Sequence, residues 1–292
     1  MMQKGYLIER YATMPRAYTC NRLVEEAAHK QMQLTIIGIE DCIVTRQGVY
    51  TKKGEKLPPC DFTIRRYPSG ITARLLSFLA PYNYNTTAEF ERYHNRYFQL
   101  HELLNSTIPM PNFLLGSNLT FPFLQNNLGL PFVMKGLDCS QLTEVFLICQ
   151  EADYQEAMRF FPLTKEWLFQ SYIEESHGQD IRAYVIRGKV IACIKRTTQT
   201  NTQKPTVFET ISTPISFGTI STPFEATPEI MELATKLYQR YRLDFFGLDL
   251  LISSEQLLFC EINVMAGIQN LEQVTGVNIA AAMIQTIQSD FN

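Results

Sequence analysis

The sequence predicts a mixed α/β protein built from two or three packed units. Its 292 residues are more than one minimal domain needs, and 46% of them are hydrophobic, which is enough for a sizeable core. Strands alternate with helices over the first ninety residues, whereas strands predominate from residue 166 onward. This change of pattern along the chain is what divides it into units.

The first ninety residues predict a parallel sheet. Short apolar runs rich in β-branched side chains indicate strands over 5–10, 34–39 and 61–66. A helical pattern over 20–32 separates the first two, and strand–helix–strand order is typical of parallel pairing. No glycine-rich fingerprint follows the first strand, so dinucleotide binding there is unsupported.

The remaining elements follow in a regular order. A tight-turn signal, Arg187-Gly188-Lys189, joins two of the strands. Residues 197–226 are rich in Thr, Ser and Pro and predict a long loop, whereas Thr227 and Pro228 mark the start of a strong helix. The sequence predicts helices over 88–104, 118–127, 153–161, 227–242 and 276–288, and strands over 131–135, 144–149, 166–173, 180–188 and 189–196.

Composition excludes several classes of protein. The net charge of −3 argues against a nucleic-acid binder with a basic face, and the odd number of cysteines, seven, without a C-x-x-C pair argues against a zinc ribbon or a disulfide framework. The N-terminus lacks the apolar stretch of a signal peptide, and no run is long enough to span a membrane. We therefore expect a cytoplasmic protein that binds neither nucleic acid nor membrane.

Residues 245–267 carry the most informative pattern, two strand-like runs around Ser253–Gln256. With the turn centred on Glu255, Asp249 opposes Glu261 and Gly247 opposes Asn263, all on one face because side chains alternate. The other face is wholly apolar and is expected to be core. It comprises Phe246, Leu248, Leu250 and Ile252 with Leu258, Cys260, Ile262 and Val264.

Two carboxylates directly opposite each other repel by roughly 3 kcal/mol at an effective dielectric near 20. An Arg or Lys, a divalent cation or one shared proton could compensate Asp249 and Glu261. Asn263 completes an all-oxygen set of the kind that Mg²⁺ prefers. The alternative is a solvated sheet face with incidental charges.

Three segments of this sequence resemble the ATP-grasp ligases, most closely the RimK-like group that joins an amino acid to a carboxylate. They are GLDLL…LLFCEINVMAG in 247–267, SYIEESHGQDIRAYVIRGKVIACIKR over 171–196 and LPFVMKGLD over 130–138. The segments occur in the family's order and at about its spacing, and the similarity covers about residues 90–292. The resemblance implies an ATP-grasp fold divided into 1–90 (a preceding α/β domain), 91–170 (the central nucleotide lid) and 171–292 (the metal and phosphate subdomain).

The resemblance also implies a role for individual residues. Asp249, Glu261 and Asn263 would hold Mg²⁺, with Mn²⁺ as an alternative, and Lys135 would meet the ATP phosphates as a point charge. Arg182 and Arg196 would direct positive charge at phosphate or acyl phosphate, with a surface salt bridge as their alternative role. The remaining positions implied to bind nucleotide are Arg96, Ser140, Gln170, Ser171, Tyr172 and Asp180. At the hinge 170–172 the family reads adenine mainly through backbone groups, so side-chain identity there is expected to matter little.

The reaction implied by the resemblance is formation of an amide. ATP phosphorylates a substrate carboxylate, and an amine such as an amino acid then displaces phosphate from the acyl phosphate. The carboxylate partner would be a peptide, a protein tail or a small acid, and Arg65 and Arg66 within 60–86 are candidate contacts for it. The sequence leaves the oligomeric state open, a homo-oligomer included.

Some features depart from the family's pattern and support a second hypothesis. The loop GLDCSQLTE (136–144) carries Cys139, Leu142 and Glu144 where glycines are usual, and Arg96 replaces a lysine. In the long loop predicted over 197–226, the family's Arg-x-Asn falls near Ser212-Thr213-Pro214. The second hypothesis is a degenerate ATP-grasp protein that binds nucleotide as a non-catalytic regulatory or scaffold subunit.

Overall fold

A computed structural model describes residues 2–11, 17–67, 70–137, 144–198 and 219–291. Within these ranges the protein is mixed α/β, as predicted, and its strands form three main sheets and one small hairpin. No helix of the described ranges is long and apolar enough to cross a membrane.

The first sheet is parallel throughout, as the strand–helix–strand order predicts, with strand order β2-β1-β5-β6. The elements up to residue 103 are β1 (Lys4–Glu9), α1 (Ala17–His29), β2 (Gln33–Gly38), β3 (Cys42–Thr45), β4 (Gly48–Thr51), β5 (Phe62–Arg65), α2 (Ile71–Leu76), β6 (Tyr82–Tyr84), α3 (Thr87–Tyr93) and α4 (Arg96–Leu103). The β3–β4 hairpin, α2 and β6 were not predicted, because each is only three to six residues long and too short to show a periodic pattern.

The single helix predicted over 88–104 is wrong, because the chain forms α3 and α4 with a break at Asn95. Asn95 is extended (φ −104°, ψ 126°), and its side chain accepts a hydrogen bond from the Tyr97 N–H at 2.8 Å. This capping bond competes with helix continuation although the apolar periodicity runs on. Arg96 therefore becomes the first residue of a new helix.

The second sheet is antiparallel, with strand order β7-β10-β8-β9. Its elements are β7 (Phe113–Gly116), α5 (Phe121–Leu128), β8 (Phe132–Lys135), β9 (Val145–Ile148), α6 (Glu151–Met158) and β10 (Trp167–Ser171). One face packs against α5 and α6 through an aromatic core that includes Phe132, Trp167 and Phe169. The opposite face carries Lys135 and Gln170.

The third sheet is also antiparallel, with strand order β13-β12-β11-β14-β15. Its elements are β11 (Gln179–Ile186), β12 (Lys189–Thr198), β13 (Thr219–Pro223), α7 (Pro228–Tyr241), β14 (Phe245–Ile252), β15 (Leu257–Asn263), α8 (Gln269–Thr275) and α9 (Ile279–Ser289). The predicted turn after β11 is confirmed, since Arg187 and Gly188 both have positive φ (46° and 82°). Thr227 caps α7, as predicted, by accepting from the Ile230 N–H at 3.3 Å.

The predicted bounds of the long loop, 197–226, are too wide, because they include residues that form strands. Thr219–Pro223 pairs with β12, which itself continues to Thr198. Its sequence, Thr-Ile-Ser-Thr-Pro, lies at an exposed sheet edge and shows no sustained alternation of apolar and polar side chains, so this strand was missed. Residues 199–218 lie outside the described part of the chain. They include Ser212-Thr213-Pro214, the position of the family's Arg-x-Asn.

The two faces of the third sheet pack against different layers. Tyr184, Ile186 and Ile194 join a core shared with the first sheet, α1 and α9. Ala183, Val185 and Leu248 face the other way, into a core formed with α3, α4 and α7. The third sheet is thus the central layer that holds the rest of the chain together.

The β14–β15 register confirms the predicted opposition of Asp249 to Glu261 and of Gly247 to Asn263. A bulge follows immediately, so that Leu250 pairs with Phe259 rather than with Cys260. The placement of Cys260 in the core face is therefore wrong. Phe259 takes that place at 0% exposure, and Cys260 lines the cleft described next.

Candidate active site

A cleft separates the second sheet from the third. The space between its walls, counted with the part that opens to solvent, is about 780 Å³. The polar side chains that line it come from both sheets and include Lys135, Gln170, Tyr172, Asp180, Asp249 and Glu261.

Asp249 lies at the base of the cleft and is held by two arginines. Arg182, its register partner on β11, donates from Nε to Asp249 Oδ1 at 2.7 Å and from a second nitrogen to Oδ2. A nitrogen of Arg196 lies 3.3 Å from the same Oδ2. Of the three compensations that the sequence left open, the structure contains the arginine one, and both arginines sit in ion pairs beside the cleft rather than on an open surface.

Arg196 also pairs with Asp180, its register partner on β11. Arg196 Nε donates to Asp180 Oδ1 at 2.7 Å, and both side chains are buried. The predicted nucleotide role of Asp180 remains a prediction, and here its carboxylate faces a guanidinium. Two acids that line the cleft and two arginines beside it thus alternate in one charged row.

Burial and charge act in opposite directions on the two carboxyls. Burial alone would raise the pKa of Asp249, but the positive charges of Arg182 and Arg196 outweigh it and lower that pKa to about 2. For Asp180, burial outweighs the attraction of Arg196 and raises the pKa above its usual value. Asp249 is therefore ionised at neutral pH and is available as an anionic ligand.

Glu261 is engaged by Arg96, whose Nε donates to Glu261 Oε2 at 2.8 Å. The same guanidinium donates to the carbonyl of Gly136 at 2.8 Å, and the Arg96 N–H donates to the carbonyl of Leu137 at 2.8 Å. Arg96 therefore joins the start of the 136–144 loop to the acidic strand β15. Its predicted contact with nucleotide stays a prediction.

Asn263 lies two positions after Glu261 on β15, on the same face of the strand. Its Oδ1 accepts a hydrogen bond from the Met265 N–H at 2.9 Å, which orients the amide oxygen at the end of the strand. Opposite it, a Cβ on Gly247 would come within 2.6 Å of the Ala266 Cβ, so glycine is required for the turn after β15 to fold back here. An amide oxygen has a second lone pair and can accept twice.

Lys135 reaches across the cleft from β8, and its Nζ lies 3.8 Å from the Cys260 sulfur. Burial raises the pKa of the Cys260 thiol to about 11, although Lys135 acts to lower it. Cys260 is therefore a neutral thiol at physiological pH. Lys135 thus lines the same cleft as the carboxylates of β14 and β15 and is a candidate partner for an anionic ligand.

The predicted hinge residues differ in their surroundings. Ser171 is tied to the protein, with its N–H donating to Asn112 O at 2.9 Å and its hydroxyl to Leu128 O at 3.2 Å. The Tyr172 hydroxyl bonds His177 Nδ1. Gln170 is 3% exposed, and its Nε2 has no acceptor among the described residues. A buried donor of this kind is costly unless a ligand completes it, which makes the Gln170 side chain a candidate ligand contact. That side-chain identity matters little at the hinge stays a prediction.

The loop over 136–144 is described only at its two ends. Ser140, Cys139 and Leu142 lie outside the described residues, so the role implied for Ser140 stays a prediction. At the near end, a Cβ on Gly136 would lie 2.1 Å from Glu144 Oε2, so a larger residue there would have to displace the Glu144 side chain. Glu144 forms an ion pair with Lys165, which supplies a counter-charge that the sequence analysis did not anticipate.

A family model described as RimK-like ATP-grasp domain matches residues 94–287. The chain belongs to the RimK-like ATP-grasp family. This confirms the resemblance carried by the segments at 130–138, 171–196 and 247–267.

Similar proteins span nearly the whole length of this RimK-like chain. A probable alpha-L-glutamate ligase of Legionella pneumophila (strain Corby) is 28% identical over 294 residues, covering 95% of this chain and 93% of its own. One from Haemophilus influenzae is 26% identical over 297 residues, covering 94% of each.

Two solved structures are similar in fold. The ATP-grasp ligase PsnB complexed with minimal precursor superposes with a TM-score of 0.73 at 14% identity, covering 100% of this chain and 99% of that one. The D-alanine–D-alanine ligase of Bacillus anthracis complexed with ATP gives a TM-score of 0.69 at 14% identity, covering 99% of this chain and 100% of that one. These similarities confirm the ATP-grasp fold.

Sequence reasoning missed two residues of this ATP-grasp site. Cys260 was placed in the core because the bulge beside it could not be read from an alternating pattern. Gln99, which bonds the backbone of Ile262 between Glu261 and Asn263, was treated as part of a continuous helix. Its spacing of three residues from Arg96 puts both on one helix face, and this was the available signal.

Arg196→Met is expected to leave Asp180 and Asp249 short of a buried counter-charge and to destabilise the protein by about 3–5 kcal/mol at pH 7.5. The deficit should shrink as the pH falls towards 5, because the Asp180 pKa, already raised, rises further and the carboxyl takes up a proton. Melting temperatures across this pH range, each compared with wild type at the same pH, test the expectation.

Arg92→Met is the matched control, since Arg92 pairs with Glu102 at 2.8 Å but its side chain is 46% exposed. Loss of that pair should cost less than about 1 kcal/mol. An Arg196 variant that melts like the control, or whose deficit grows towards acid pH, would contradict the buried-network account.

Proposed function

We propose that this chain is an ATP- and Mg²⁺-dependent ligase that joins a carboxylate to an amine through an acyl phosphate. The observation that carries the proposal is the opposition of Asp249 and Glu261 at the base of a cleft that also contains Lys135. Membership of the RimK-like ATP-grasp family and the names of its relatives as glutamate ligases support it.

Asp249, Glu261 and Asn263 are the proposed metal ligands. All three donors are oxygens, Asp249 stays ionised because its pKa is lowered to about 2, and Asp249 and Glu261 are register partners. This set fits Mg²⁺, or Mn²⁺ as the alternative, better than a softer metal. The described residues contain no cluster of three His, Cys, Asp or Glu side chains that would indicate another metal site. Bound there, the metal would screen the charge of the ATP phosphates.

The nucleotide is proposed to lie between the two sheets, with its base near the hinge and its phosphates near Lys135. Gln170 donates to the base, and Tyr172 and Val133 supply apolar contact. Arg96, Ser140, Ser171 and Asp180 complete the proposed nucleotide set. Residues 91–170 would form the lid over the nucleotide, and 171–292 would hold the metal and phosphates.

Arg182 and Arg196 are the proposed catalytic cations. Both form ion pairs with Asp249 in the structure. With a metal held at Asp249, Arg182 would be free to face the phosphoryl group in transfer, and Arg196, which also pairs with Asp180, would add positive charge beside the acyl phosphate. Positive charge held in place at a developing anion is an effective means of lowering the barrier.

The carboxylate acceptor, or the amino acid that is joined to it, is proposed to bind in a second cavity, between the first sheet and the turn after β15. Glu9, Tyr18, Arg66 and Gly267 are among the residues that line it. The Arg66 Nε is buried with no acceptor among the described residues, and Glu9 supplies a carboxylate nearby. A guanidinium beside a carboxylate suits the two charged groups of an amino acid, of which L-glutamate is the first to test.

The side chains of Arg65 and Arg66 have different surroundings in the structure. Arg65 is buried, pairs with Glu91 at 2.9 Å and lies 4.6 Å from the ring centre of Phe90. Arg65 therefore serves the fold, and Arg66 alone of the two lines the second cavity.

ATP and Mg²⁺ together are expected to raise the melting temperature, and neither alone should have the full effect. Asp249→Asn or Glu261→Gln should remove most of the shift, because each takes one charge from the proposed metal set. Thermal unfolding with ATP, Mg²⁺, both or neither measures this. If no nucleotide binds below millimolar concentration in the presence of Mg²⁺, the proposal fails.

Gln170→Met is expected to weaken ATP binding by about three- to tenfold, the value of one hydrogen bond, while the ligand-free protein melts at the same or a higher temperature. Methionine keeps the size of the side chain and removes the unpaired donor. Calorimetric titration with ATP and Mg²⁺ measures the change.

Gln179→Met is the control for Gln170→Met. Gln179 lines the same cleft, but its Nε2 already donates to Glu175 O at 2.6 Å. Equal ATP affinity in the Gln170 variant and in wild type would show that Gln170 does not contact the nucleotide.

Arg66→Met is expected to raise the KM for the amino acid or the acceptor by more than tenfold and to leave the KM for ATP nearly unchanged. ADP release, measured against panels of amino acids and peptides beginning with L-glutamate, identifies the pair to use. Arg74→Met, at a position with a 59% exposed side chain in the same segment, is the control. ATP binding without ADP release under any pairing would favour the non-catalytic alternative.

A further inference from the structure

β15 is the edge strand of the third sheet, yet the open side of its backbone is bonded at Ile262. The Ile262 N–H donates to Gln99 Oε1 at 2.9 Å, and Gln99 Nε2 donates to the Ile262 carbonyl at 3.0 Å. One primary amide therefore satisfies both backbone groups, as a residue of a neighbouring strand would.

Gln99 is itself held rigidly. It is 1% exposed, its Nε2 also donates to the Tyr93 carbonyl at 2.7 Å, and its own carbonyl accepts from the Tyr241 hydroxyl at 2.9 Å. These contacts fix α4 against α3 and α7. A side chain bonded in this way has little freedom to follow a shift of β15.

Arg96 and Gln99 act on adjacent residues of the same strand. They are three positions apart on α4, so they lie on one face of the helix. Arg96 bonds the Glu261 side chain at 2.8 Å, whereas Gln99 bonds the backbone of the next residue, Ile262. The first turn of α4 thus takes the place of a sixth strand beside β15.

We infer that Gln99 is a positioning residue for the metal set, an inference that rests on the proposed function. Ile262 stands between Glu261 and Asn263, whose side chains point to the face opposite its own. Fixing the peptide groups of Ile262 therefore fixes the separation and direction of the two proposed ligands. Gln99 contacts neither metal nor substrate and acts only through β15.

The expected consequence concerns metal affinity. Partners that orient the ligands of a metal typically change its affinity by 10- to 100-fold when they are removed. Without Gln99, the peptide groups of Ile262 lose their partner on the open side of β15. Arg96 and Met265 still bond the side chains of Glu261 and Asn263, but the backbone that sets the spacing of these two residues is less firmly held. The Mg²⁺ requirement should change even though every proposed ligand is still present.

Gln99→Met tests this, since methionine is of similar size and cannot hydrogen-bond as the amide does. The Mg²⁺ concentration that gives half of the ADP-induced rise in melting temperature should increase about 10- to 100-fold. Direct binding of Mn²⁺, followed by electron paramagnetic resonance, should weaken by a similar factor. Hydrogen exchange at the Ile262 amide should become faster.

Two further variants separate positioning from simple loss of stability. Leu103→Ala removes a buried side chain from the core that α4 shares with α7, so it should lower the melting temperature without changing the Mg²⁺ midpoint. Gln99→Asn keeps an amide but shortens the side chain by one methylene, so a folded protein with a smaller shift of the Mg²⁺ midpoint is expected if Gln99→Met does not fold.

The inference is overturned if the Gln99 variants require the same Mg²⁺ concentration as wild type, or if Leu103→Ala shifts the midpoint as far as they do. Failure of the proposed function has a different signature. In that case wild type itself shows no Mg²⁺-dependent nucleotide binding, and no midpoint exists to compare.

Discussion

The opposition of Asp249 to Glu261 is the constraint on which the site depends. Two carboxylates across a sheet repel, and a stable fold must bring positive charge to them. The protein does so from three separate elements, with Arg182 on β11, Arg196 on β12 and Arg96 at the start of α4. The positive charge that compensates these two carboxylates is thus held beside the cleft, where the phosphates of ATP are proposed to bind.

The rest of the fold places this charged row at the edge of a cleft. One face of the third sheet changes along its strands from the apolar core around Tyr184 to the charged row around Arg182. The other face is apolar throughout and packs on α7, so the hairpin that carries Asp249 has a rigid base. The second sheet then supplies the facing wall, with Lys135 and Gln170 directed across the gap.

The sequence predicted most elements and the central pair of carboxylates, because alternation and turn signals are local. Its failures were also local in cause. One bulge moved Cys260 from core to cleft, and one capping bond at Asn95 divided a helix that the apolar period joined. The sequence left arginine as only one of three possible compensations for the paired carboxylates. Arg96 and Glu261 are 165 positions apart, and no spacing rule links residues so far apart. Gln99 was missed for the same reason.

Crystals grown with Mn²⁺ and a non-hydrolysable ATP analogue give the most direct test of the central claim. Anomalous scattering locates Mn²⁺ without reference to any assumed ligand set. The account predicts an anomalous peak within coordination distance of Asp249, Glu261 and Asn263 and of the nucleotide phosphates, with Arg182 or Arg196 turned towards phosphate. A nucleotide bound elsewhere, or bound in this cleft with Mn²⁺ away from these three side chains, would contradict it.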